Sequence, residues 1–218
     1  LHTPQTQNIT MKTTPVLLLS FFLFAFSTNT ILLGLADDLP DPVLDTSGKT
    51  VETGVDYYIL PAVRGSGGGG GLTLGSNRNG SNCPLDVVQE QQELNNGLPL
   101  TFSPVTNEAV VREITDLNIK FSAATICVQS TLWKLGDFDE SVRRSFVTTG
   151  GVEGNPGRET LSNWFRIEEF DDDYKLVFCP SVCDICRPLC GDIGIFIENG
   201  TRRLALSDEP FKVTFQKA

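Results

Sequence analysis

The sequence predicts an all-β fold, a closed or nearly closed antiparallel barrel built from twelve short strands. Three observations lead there. Short runs of β-favouring residues recur along the chain, separated by Gly, Asn, Asp and Pro. Several of these runs alternate apolar with polar residues, as a half-buried strand does. No long segment keeps a helical period. In a closed barrel every strand finds a partner, so no edge is left open.

The runs follow one another in this order. The first two, near residues 55–62 and 72–76, are joined by the glycine-rich stretch RGSGGGGGLTLG, residues 64–75. It has the glycines of a phosphate-binding fingerprint, but a helix must follow such a fingerprint, and here the strand-like Leu72-Thr73-Leu74 follows. It is therefore read as a flexible loop. Runs near 85–91 and 98–104 come next, and in the second Leu98, Leu100 and Phe102 share one side. The segment SPVTNEAVV, Ser103 to Val111, leads on to a run near 117–122. After runs near 131–136, 145–149 and 163–169, the acidic stretch Glu168 to Asp173 makes a turn. It lacks the alternating Asp-x-Asp-x-Asp-Gly spacing that wraps calcium, and a turn needs no ion. The run near 174–179 ends in a cysteine-rich loop, and runs near 193–198, 202–206 and 211–216 complete the set. Phe211, Val213 and Phe215 line one side of the last.

A chain of 218 residues, 40% hydrophobic and 20% charged, suits one domain with a substantial core. The first ten residues precede the chain's one methionine, Met11, and read as upstream translation. Residues 11–36 have the parts of a secretory signal: basic Lys12, an apolar run from Val16 to Phe26, and small Gly34 and Ala36 for cleavage. Polar residues 27–30 interrupt what a membrane anchor would need as about 20 apolar residues, so no membrane attachment is expected after cleavage. Residues 37–218 form the expected single domain. It should be extracellular (apoplast) or vacuolar, and LPDPVLD from Leu39 does not decide between the two.

That domain keeps all 27 acids of the chain, whose net charge is −10, which argues against a nucleic-acid partner. The single histidine is His2. The mature domain therefore offers no Ser-His-Asp or Cys-His nucleophile and no histidine-ligated metal. No enzyme, cofactor or metal is expected. Asn79-Gly80-Ser81 and Asn199-Gly200-Thr201 are glycosylation sequons in a secreted chain.

The six cysteines, Cys83, Cys127, Cys179, Cys183, Cys186 and Cys190, argue for three disulfides in an oxidising compartment. Sequence alone allows about 15 pairings. Four of them fall in CPSVCDICRPLC, with spacing that matches neither two separated zinc knuckles nor the bacterial iron-sulfur run. A redox Cys-x-x-Cys would come with a βαβ context that is missing here. The symmetric spacing fits a hairpin-like loop with Cys179 paired to Cys190 and Cys183 to Cys186, leaving Cys83 for Cys127.

The stretch VLDTSGKTVETGVDYYIL, Val43 to Leu60, resembles the opening signature of the plant soybean-type Kunitz inhibitors, with Asp45, Gly48, Tyr57 and Ile59 in place. Ser47 stands where that signature prefers an acid, Asn, Thr or Tyr. CPLDVVQ from Cys83, TDLNIKF from Thr115, and YKLVFCP…CGDIGIFIENGTRRLALS from Tyr174 extend the likeness over residues 37–218. Cys183, Cys186 and LPLTFSPV from Leu98 look most like the miraculin-like branch. The resemblance implies a β-trefoil of six hairpins, a six-stranded barrel with a three-hairpin cap, and the pairings Cys83 to Cys127 and Cys179 to Cys190.

It also implies a function: a secreted inhibitor, stoichiometric and monomeric, that presents one substrate-like loop to an endopeptidase. A serine protease is the first expectation, and a cysteine protease engaged through another loop the second. A loop already held in its bound shape loses little entropy on binding, so its contacts appear as affinity. The corresponding loop is Ser103 to Val111. Counting from Cys83 puts Asn107 at the primary specificity position, P1, followed by Glu108, whereas alignment on Ser103-Pro104 puts Thr106 there. Neither supplies the base that a trypsin pocket pairs with its buried Asp. Thr53 stands where the family usually carries a loop-bracing Asn, and it has fewer hydrogen-bonding groups. Strong trypsin inhibition is therefore not expected. The alternative is a non-inhibitory miraculin-like storage, defence or taste-active binding protein.

Overall fold

The computed structural model describes Thr3 and residues 39–218 other than Ser66, so the expected upstream segment and signal peptide lie outside the described residues, Thr3 apart. Residues Pro40–Ala218 form one compact unit. It contains twelve strands: β1 Tyr57–Pro61, β2 Leu72–Gly75, β3 Asp86–Gln89, β4 Leu100–Pro104, β5 Leu117–Phe121, β6 Trp133–Asp139, β7 Arg144–Thr149, β8 Arg166–Phe170, β9 Asp173–Phe178, β10 Gly191–Glu198, β11 Thr201–Ser207 and β12 Lys212–Lys217. Each falls on one of the twelve runs read from the sequence.

Six strands close into a ring. β1 pairs with β4 and β12, β4 with β5, β8 with β9, and β9 with β12. The remaining gap is spanned by the bridge Leu117↔Phe165, which joins β5 to the residue before β8. The other six form the hairpins β2–β3, β6–β7 and β10–β11, whose second strands β3, β7 and β11 contact one another pairwise. A six-stranded barrel capped by three hairpins in a triangle is the β-trefoil.

Period-two patterning explains the core. Tyr57 and Ile59 of β1, Leu117, Ile119 and Phe121 of β5, and Leu176 and Phe178 of β9 all turn inward and are buried. Aromatic side chains fill the interior at edge-on angles: Trp133 meets Phe165 at 5.9 Å and 89°, and Phe102 meets Phe215 at 5.5 Å and 85°. Each such side chain stabilises by about 1.5–3 kcal/mol through burial.

The family-signature segment before β1 owes its shape to Asp45. Its Oδ1 accepts hydrogen bonds from Ser47 N at 2.8 Å, Ser47 Oγ at 2.7 Å and Lys49 N at 3.0 Å. Burial works against this carboxylate, but those bonds and the Lys49 charge outweigh it and hold its pKa below the usual range.

Two expectations change. The run expected from residue 163 begins as a strand only at Arg166, after a short 3-10 helix, Arg158–Asn163. There Asn163 Nδ2 donates to Val152 O at 3.1 Å and Trp164 Nε1 donates to Thr160 Oγ1 at 3.2 Å. Such side-chain bonds give this segment hydrogen-bond partners other than a strand ladder. The glycine-rich loop, expected to be flexible, is tied down. Gly65 N and Gly68 N each donate to the Glu93 carboxylate at 3.1 Å, Gly67 N donates to it too, and Gln89 Nε2 donates to Gly68 O and Gly70 O at 2.8 and 2.9 Å. Its glycines serve close approach: a Cβ on Gly71 would lie 2.0 Å from Asn96 O.

Candidate functional site

The loop expected to face a protease joins β4 to β5 across residues 105–116 and is laced to the chain before β1. Val43 N donates to Val111 O and Val111 N to Val51 O, both at 2.9 Å, while Glu113 N donates to Asp41 O at 2.9 Å. Bridges Pro42↔Arg112 and Glu52↔Val110 complete the lacing. Its far end is closed by Val105 N donating to Asp116 O at 2.9 Å. Asp116 is buried and fixed in turn by Arg166 Nε at 2.8 Å and Ser181 Oγ at 2.7 Å. The exposed tip is thus held at both ends.

At that tip Thr106, Asn107 and Ala109 are exposed and Glu108 is half-buried. Asn107 N donates to Pro104 O at 3.1 Å, closing a turn, and Asn107 has φ 54°. That is the left-handed region, which Asn tolerates better than most residues. Asn107 therefore does not run in the extended form of its flanking strand. Thr53 lies behind the tip: its Oγ1 donates to Glu108 O at 2.7 Å and its backbone N to Ala109 O at 2.9 Å. One hydroxyl bond stands where an Asn amide offers two donors and an acceptor.

Three further groups were not read from the sequence. Arg112 Nε reaches Glu108 Oε2 at 2.9 Å, and its Nη1 donates to Pro40 O at 3.0 Å. A four-residue spacing signals such a pair on a helix, and no helical pattern marks this segment. Glu153 accepts from Ser103 Oγ at 2.8 Å and pairs with Lys120 Nζ at 3.3 Å. Asn118 accepts from Gly154 N at 2.8 Å, so the 150–157 segment stands against the loop. Between them lies a pocket of about 350 Å³ walled by Thr53, Asn107, Glu153 and Pro156 over Trp164. On the opposite flank burial raises the pKa of Glu113, and the charges of Glu169, Asp41 and Glu168 push it the same way.

The other site residues lie elsewhere. Disulfides join Cys83 to Cys127, Cys179 to Cys190 and Cys183 to Cys186. Asn79 is exposed in a turn after β2, and Asn199 is exposed at the β10–β11 turn with φ 50° beside Gly200 at 79°, the paired positive angles of a two-residue hairpin turn. Arg78 Nε to Glu198 Oε2 at 2.7 Å brings these two turns side by side. Among the described residues no group of three or more His, Cys, Asp or Glu is placed to hold a metal.

The sequence model of the legume Kunitz family, described as trypsin and protease inhibitor, matches residues 43–217. The chain is 51% identical to miraculin of Synsepalum dulcificum over 219 residues, 95% of this chain and 98% of that one. It is 49% identical to Kunitz trypsin inhibitor 5 of Arabidopsis thaliana over 178 residues, 82% and 86% of the two chains. Among solved structures, soybean trypsin inhibitor superposes with a TM-score of 0.67 at 34% identity, over 82% of this chain and all of that one. The same inhibitor in complex with porcine pancreatic trypsin matches with a TM-score of 0.66 at 33% identity, over 81% and 99%.

Proposed function

This chain belongs to the legume Kunitz family of trypsin and protease inhibitors, and from that membership we propose that it is a secreted plant protease inhibitor acting on a serine protease through residues 103–111. The family is one of inhibitors, not enzymes. One observation carries the reading: an exposed tip whose backbone carbonyls at Glu108 and Ala109 are already held by Thr53. A loop fixed before contact loses little freedom in contact, and if its cleaved ends stay in place they can rejoin, so cleavage does not release the enzyme.

Trypsin is not the expected target. Asn107 brings no charge to a pocket built around a buried Asp, and it must leave its left-handed conformation to lie extended in a cleft. An uncharged specificity pocket, as in chymotrypsin-like or subtilisin-like enzymes, suits it better. The same observation favours a second reading, a non-inhibitory storage, defence or taste-active binding protein, for which the tip needs no extended form. Export to the apoplast or vacuole and glycans at Asn79 and Asn199 belong to either reading.

A panel of trypsin, chymotrypsin, subtilisin and papain decides between them. The expected result is stoichiometric inhibition of chymotrypsin or subtilisin, weak inhibition of trypsin, and one slow clip at Asn107-Glu108 with the complex retained. No inhibition of any of the four counts against the inhibitor reading and favours the binding-protein one, and inhibition of papain alone moves the site to another loop.

A further inference from the structure

The tip of the β4–β5 loop is gripped from two sides, and only one grip is the expected one. Thr53 holds main-chain atoms, the carbonyls of Glu108 and Ala109. On the other side the Glu108 side chain folds back toward its own scaffold, where Arg112 receives it at 2.9 Å. The same guanidinium donates at 3.0 Å to Pro40 O, on the segment whose neighbours Asp41 and Val43 are bonded to Glu113 and Val111. A planar guanidinium offers two donor directions at fixed angles, so one side chain ties the tip to the incoming chain.

We propose that Arg112 is a positioning residue that braces the tip through Glu108, doing for this chain part of what a bracing Asn at position 53 would do. The proposal rests on the reading of this loop as the protease-facing segment. Two consequences follow. The Glu108 carboxylate is engaged internally, so the partner meets the tip at Thr106, Asn107 and Ala109, whose side chains are exposed. Loosening Arg112 should free the tip without unfolding the barrel, because the pair is partly solvated, with side-chain exposures of 24% and 37%.

The experiment compares the whole mature protein with Arg112→Ala, Arg112→Lys and Glu108→Gln. The reporter is hydrogen exchange at the Thr53 amide, which donates to Ala109 O, with the Thr149 amide, which donates to Leu85 O, as reference. A second reporter is the rate at which a glutamate-specific endopeptidase cuts after Glu108. Arg112→Ala should raise both the Thr53 exchange and the cutting rate about fivefold, within the range of one charge-assisted hydrogen bond discounted for exposure, and leave Thr149 unchanged. Arg112→Lys should recover part of the effect, since one ammonium cannot serve both acceptors in the same geometry. Adding Glu108→Gln to Arg112→Ala should change exchange little further, because the coupling is already gone.

Changes under about twofold, or equal acceleration of Thr53 and Thr149, would overturn the brace, the second because it reports global loosening. If no protease in the panel is inhibited while the Thr53 effect appears, the brace stands and the inhibitor reading falls. If a protease is inhibited and Arg112→Ala changes neither inhibition nor exchange, the brace falls alone.

Discussion

In the proposed inhibitor role, Asn107 is where identity and conformation together set the limit. A trypsin pocket needs a cation on an extended backbone, and this residue supplies neither, with a neutral amide and φ 54°. Replacing Asn107 by Arg supplies the charge and, since Arg is less at ease at positive φ, pushes the tip toward extension. Replacing Thr53 by Asn adds donors behind Glu108. The double variant Asn107→Arg, Thr53→Asn should inhibit trypsin at least about tenfold more tightly than the parent, as a buried charged anchor does; unchanged inhibition constants in a titration would reject Asn107 as the contact residue. The sequence made Thr53, Asn107 and Glu108 legible through their place in a family pattern. It did not reveal the left-handed angle, because Asn occupies both regions, nor Arg112, because a loop has no fixed period to show which residues four apart meet.

The strands were nearly all legible, and the connections less so. Runs such as Leu100 to Phe102 and Val213 to Phe215 declare themselves by alternation, since one face must be buried. The glycine-rich loop misled because composition records that glycines are present, not whether they serve freedom or close approach. At Gly71 they serve approach. The staples differ in the same way between what spacing suggests and what each contributes. Cys83 and Cys127 are separated by 44 positions, Cys183 and Cys186 by 3. Opening the long loop by Cys83→Ala, Cys127→Ala should lower stability by about 4 kcal/mol, whereas Cys183→Ser, Cys186→Ser should cost less than about 2 kcal/mol. Denaturant midpoints measured at fixed slope test the order, and a larger loss from the inner pair would reverse the assignment of the long loop as the main staple.

At the scale of the molecule, stability should depend on pH through the cap. Asp86 of β3 is buried facing Arg203 of β11, with Arg203 Nε at 3.5 Å. Burial outweighs the attraction of Arg203 and Arg78 and pushes its pKa up to about 6. Its folded value lies above the unfolded value of 3.8. As pH rises past the unfolded value the unfolded chain ionises first, and the stability of holding Asp86 protonated is lost by the time pH reaches its folded value. This should remove about 1–2 kcal/mol, or about 2–8 °C in Tm. Asp86→Asn should flatten that slope, and identical slopes in the two proteins would show that another group sets it. The ring carries a different consequence. Tyr57 lies opposite Lys217, so the barrel is closed by its first strand and its last. Synthesised from the N-terminus, β1 has to wait, unmatched on one side, until β12 emerges. The pairing of β12 is therefore the step that shuts the barrel, and a chain lacking that strand would leave β1 and β9 with open edges, ready to pair with whatever strand comes by.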